Sequence, residues 1–186
     1  MGKILENLHL TLAIGLALAL GLLFKVHGDY VTTSQIFQWL HVFFGITWIG
    51  LLYYFNFVQI PTMPSIPAEL KPGVSKYIAP KALFFFRWGA AFTVLTGIIL
   101  SIVNGYGHQA FTLQPDFYLI GVGMYLALIM AFNVWFIIWP NQKRALGLVE
   151  ADDATKAKSA RVAMLASRTN VLLSIPMLYA MTTFKG

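Results

Sequence analysis

The chain has 186 residues, of which 58% are apolar and only 11% charged, and its mean hydropathy is +0.70. A soluble domain carries about a quarter charged residues, so this is the composition of an integral membrane protein, with room for one compact bundle and no sizeable extramembrane domain. With no cysteine there are no disulfides, thiolate metal sites, iron–sulfur clusters or covalent c-type haem, and the net charge of +6 reads as topology and contact with anionic lipid, not as a nucleic-acid surface.

Residues 1–9 form a short polar lead-in, and Glu6 breaks the myristoylation pattern that the opening Met-Gly would start. Leu10 to about Val26 is the first apolar segment, with Lys25 placed to snorkel at its end. No small-x-small cleavage site follows it, so it is expected to stay as an uncleaved span. After a short polar connection comes Gln35 to Pro61, 27 residues without a formal charge. About 20 helical residues suffice to cross a bilayer. Its one histidine, His41, lies well inside the apolar run. At 100° per residue Gly45, Trp48 and Leu52 share the face of His41. A ring nitrogen above a missing side chain, with an aromatic ring a turn beyond, offers a place for a flat cofactor. Burying an ionisable group at membrane depth is costly, which makes His41 a functional candidate. The alternative is a neutral histidine hydrogen-bonded to a neighbouring helix.

Residues 61–80 hold five prolines and read as the first substantial loop, since Pro61, Pro64 and Pro67 oppose a continuous helix. The third span covers about 82–103. Ala90, Gly97 and Ser101 form a stripe of small residues on it, suited to close helix packing, and Arg87 and Thr93 flank that stripe. The fourth span runs over about 117–139 and is expected to stop at Pro140. A basic, helix-prone connection leads to the fifth span, about 162–183, where Ser167, Asn170 and Ser174 share one side and Arg168 points away from Asn170. Trp39, Tyr53, Tyr54 and Trp139 read as interface-belt residues. The expected fold is therefore all-α: a single transmembrane domain of five helices, spans about 10–26, 35–60, 82–103, 117–139 and 162–183.

Nine Lys and Arg fall on one side of such a protein and two on the other, with Arg87 and Arg168 inside spans. The positive-inside rule places the amino terminus in the cytoplasm and the carboxy terminus in the periplasm. His41 then lies toward the outer face, as do His27 and His108, which would be a second axial ligand or a metal site if they were not simply solvated. Arg87 and Arg168 enter from the cytoplasmic side. With Asn170 nearby in sequence, they are candidates for binding a substrate or another anion through planar, bidentate hydrogen bonds. Snorkelling to lipid phosphate is the competing role.

WLHVFFGITWIGLLYYFNFVQIP (39–61), NVWFIIWPNQK (133–143) and SRTNVLLSIPMLYAM (167–181) together resemble the bacterial membrane urate oxidase amino-terminal domain family, in the same order. More distantly, histidine followed by tryptophan seven residues on resembles the small membrane protoporphyrinogen oxidases. The resemblance implies a helical domain of the bacterial inner membrane that passes electrons to a cytochrome c acceptor. Members of the urate type carry a carboxy-terminal cytochrome c domain, and the sequence ends at Gly186 without one, so the resemblance does not extend to urate oxidation by these residues alone. Two functions follow. One is a membrane subunit of an oxidoreductase system, with haem b on His41 and Gly45 and Trp48 beside it. The other is a non-catalytic accessory subunit of a larger hetero-oligomeric membrane complex, with His41 merely hydrogen-bonded.

Overall fold

A computed structural model describes residues 2–28 and 32–184. The fold is all-helical, with no strand among the described residues. Five helices are long and apolar enough to cross a membrane: α1 (Leu8–His27), α2 (Thr33–Ser65), α3 (Lys71–Val103), α5 (Pro115–Ala145) and α6 (Asp153–Thr183). A short helix, α4 (Gly107–Phe111), lies in the connection between α3 and α5. The chain divides into two compact units, residues 1–36 and 37–186. In the first, α1 buries no side chain; Asn7 caps it by accepting from the Leu10 N–H. An all-round apolar helix of this kind is built for lipid contact.

The second unit is a bundle with antiparallel neighbours. Along α2 and α3, Phe44 stacks on Phe92 at 5.0 Å and Phe55 meets Phe86 edge-on at 5.6 Å, so the sequence runs in opposite directions on the two helices. The backbones come close where α3 has no side chain: a Cβ on Gly89 would sit 3.3 Å from the Trp48 nitrogen. α5 and α6 pair in the same way, with Gly123 against Ala180, where a Cβ would lie 2.9 Å from the alanine methyl. Gly121 lets α4 dock, because a Cβ there would run into the Ala110 carbonyl. These contacts put small residues at the helix interfaces, which is how helices associate without a hydrophobic driving force between them. Trp48, Leu52, Leu83, Phe86, Met130 and Val134 fill the core.

Three helical stretches widen into π turns: Tyr54–Gln59, Val74–Ile78 and Asn133–Ile138. Each ends two residues before a proline, namely Pro61, Pro80 and Pro140. Proline has no N–H, and its ring collides with the carbonyl four residues back. A widened turn relieves both problems and lets the helix continue. The breaks expected at Pro61 and Pro140 therefore do not occur. α2 runs on to Ser65 and α5 to Ala145, and α3 begins at Lys71, which shortens the expected loop to residues 66–70. α6 likewise starts well before residue 162, since Asp152 caps it, its carboxylate accepting from the Thr155 N–H at 2.7 Å.

Candidate functional site

His41 stands on the α3-facing side of α2. Its ring lies on the bare backbone of Gly97, where a Cβ would be 2.8 Å from Cε1 and 2.9 Å from Nδ1. Nδ1 is 2.9 Å from the Thr93 carbonyl oxygen. A carbonyl only accepts, so Nδ1 carries the proton, and in a neutral imidazole Nε2 is left with a free lone pair. No protein group among the described residues hydrogen-bonds to Nε2. An imidazole whose other nitrogen is held by a backbone carbonyl is the usual form of a metal-ligating histidine. As a ligand nitrogen, His41 fits a haem iron.

The walls expected beside it are arranged differently. The open side of Gly45 is met by the Thr93 methyl, with 3.8 Å to a hypothetical Cβ, and Trp48 is 0% exposed against Gly89. The Gly45–Trp48 face is thus spent on packing α2 to α3. A haem held by His41 would use a different surface of the ring. His27 Nδ1 lies 3.0 Å from the Gln35 amide nitrogen, which donates, and His108 is exposed. No group of three metal-ligating side chains exists among the described residues.

Farther along the bundle from His41 lies a layer of buried polar groups. Asn170 is 0% exposed. Its Oδ1 accepts from Asn133 Nδ2 at 2.9 Å, and its own Nδ2 donates to the Met130 carbonyl at 2.9 Å, so α6 and α5 are tied twice. Asn56 Nδ2 donates to Ser167 Oγ at 2.8 Å and to the Leu52 carbonyl at 2.9 Å, tying α2 to α6. Tyr53 and Ser174 share a further hydroxyl bond at 3.0 Å. Tyr53 is therefore an interhelical tie and not a belt residue.

Arg87 reaches this region from α3. Only 9% exposed, it stacks its guanidinium carbon 3.4 Å from the centre of the Trp139 ring. Trp139, expected at the interface, is the floor under a buried cation. Arg168 is exposed on α6, and Asn170 is already engaged by Asn133 and Met130. No contact joins Arg87, Arg168 and Asn170 to one another among the described residues. Sequence reasoning missed Asn56 and Asn133, and gave Thr93 only a place beside a packing stripe and Trp139 only one in the interface belt. A signal was there: three spans each carry an asparagine within two turns ahead of a proline, at 56 and 61, 133 and 140, and 170 and 176.

The carboxy-terminal part of this arrangement has a known counterpart. Residues 105–184 match the family model for the urate oxidase N-terminal domain. The match spans less than half of the chain, and over that stretch the chain is similar to the family. It covers α4, α5 and α6, and so includes Trp139, Asn133 and Asn170; His41 and Arg87 lie outside it. No curated protein and no solved structure matches the chain.

Proposed function

We propose that the chain is the membrane subunit of an oxidoreductase system related to membrane urate oxidase, and that His41 Nε2 would hold the iron of a b-type haem. The observation that carries the haem assignment is the hydrogen bond from His41 Nδ1 to the Thr93 carbonyl, which fixes the tautomer a metal needs. Bound haem would supply one-electron transfer. The protein's part is to hold the imidazole against Gly97 and keep its proton on Nδ1. With the amino terminus in the cytoplasm, as the loop charges suggest, His41 lies toward the periplasmic face, where a cytochrome c would collect electrons.

The test is a dithionite-reduced minus oxidised spectrum of the chain purified gently from its native membrane. A b-type spectrum is expected, lost in His41→Ala and kept in His27→Ala and His108→Ala. A haem-free wild type would overturn the haem assignment. It would leave the second reading, an accessory subunit of a larger membrane complex. That reading is favoured by the packing of Gly45 and Trp48 against α3, which spends the expected cofactor face on structure. Co-purification of a larger membrane oxidoreductase with a haem-free chain would support it.

A further inference from the structure

Arg87 has no counter-charge among the described residues. Its Nη1 is buried without any hydrogen-bond partner, and the guanidinium takes part in no ion pair among the described residues. α2 and α3 carry no Asp or Glu, and the acids of α5 and α6, Asp116 and Asp153, stand at the very start of those helices, Asp153 paired with Lys156 at 3.3 Å. A second cation is close by: Lys143 Nζ lies 5.6 Å from the same Trp139 ring. Removing a charge from water is costly unless a partner compensates it. Stacking on an aromatic face returns part of that cost. It covers one face of the guanidinium and leaves the in-plane N–H groups free, and these are the donors that grip an oxyanion. At 9% exposure Arg87 is also unlike Arg168, which is placed to snorkel.

We propose that Arg87, stacked on Trp139, anchors a binding site inside the bundle for a single small oxyanion of the carboxylate or phosphate-ester type. The anion lies in the plane of the guanidinium, accepts from Nη1, and neutralises the charge that α3 brings into the core. Lys143 adds to the positive field without replacing the fork. Two sources carry this chemistry, a soluble carboxylate and the phosphate of a tightly held phospholipid. The site does not rest on the haem assignment, because binding is read without haem.

The experiment uses the full chain in phosphatidylcholine nanodiscs, titrated calorimetrically with sodium benzoate and with its uncharged isostere benzamide. Benzoate should bind one to one, and benzamide at least about tenfold more weakly, since hydrogen bonds to a charged group are the stronger kind. Arg87→Lys should weaken benzoate by about tenfold, because lysine keeps the charge and loses the planar fork. Arg161→Gln, a charge removed near the start of α6, should change nothing. Phosphorus analysis of the detergent-purified chain separates the two sources. One retained phospholipid per wild-type chain, absent from Arg87→Lys, supports the same site with lipid as its occupant, even if benzoate fails to displace it. Equal binding of benzoate and benzamide by the wild type overturns the proposal without any variant having to fold. So does an oxyanion, free or lipid, held equally by wild type and Arg87→Lys, and so does a wild type that holds neither.

Discussion

Replacing Asn170 by leucine keeps the branched outline of the side chain, with two methyls in place of the amide, and removes two interhelical hydrogen bonds at once. Those bonds run to Asn133 and to the Met130 carbonyl, both at 2.9 Å and both fully buried. In membrane proteins such bonds average about 0.6 kcal/mol and reach about 1.7. The Asn133 amide left without an acceptor adds a desolvation cost of about 1 kcal/mol. Asn170→Leu should therefore destabilise by about 2–3 kcal/mol. Asn133→Leu breaks only one of the two bonds and leaves Asn170 still anchored on Met130, so it should cost about 1–2 kcal/mol. In the double variant the shared bond is counted once, giving a coupling of about 0.6–1.7 kcal/mol. The assay is reversible unfolding in bicelles, by steric trapping or SDS titration, on the four members of the cycle. Additivity within about 0.3 kcal/mol, or a larger cost for Asn133→Leu than for Asn170→Leu, would refute the reasoning.

Gly97→Ala places a methyl 2.8 Å from His41 Cε1 and should push the imidazole off the Thr93 carbonyl. Nitrogen NMR of labelled His41 should show the protonated Nδ1 signal shifted or split between tautomers, and an unchanged signal would mean the ring does not lie on Gly97. The Asp152 carboxyl is held below its ordinary range, first by the Thr155 backbone N–H and then by the Thr155 hydroxyl. Its capping contribution is therefore fully present above the unfolded value of about 3.9 and is lost as pH falls through the lowered folded value. Hydrogen exchange of the first turn of α6 should speed up at acid pH in the wild type, whereas Asp152→Asn should show no such acid step. A reporter fused after residue 186 should behave as periplasmic. A cytoplasmic signal would reverse the placement of His41 relative to the proposed electron acceptor.

The spans were legible because hydropathy and length decide them: a run such as 35–61 can be little else. Helix ends were not, because the prolines at 61 and 140 act on the chain through a backbone adjustment that no residue type announces. His41 was legible as the one histidine in its span, but its partner was not. A backbone carbonyl is present at every position, and only packing on Gly97 selects that of Thr93. For Arg87 and Arg168 the sequence gives two cations at similar depth. Which one is buried depends on Trp139 arriving from a third helix, and that pairing is a property of the bundle.

A π turn is in effect one residue more than an α-helix needs over the same rise. Beyond it, every side chain is swung by about 100° relative to an uninterrupted helix. Asn56 lies within one such turn and Asn133 begins another, so two of the polar ties sit where their helices carry a spare residue. The proline two residues beyond, Pro61 or Pro140, pins that spare residue in place, because the widened turn is what relieves its ring clash. By the same geometry, deleting a single residue such as Val58 would close the turn to an ordinary α-helix and re-phase α2 from there to Ser65, whereas a deletion near Trp48 would turn the His41 face away from α3.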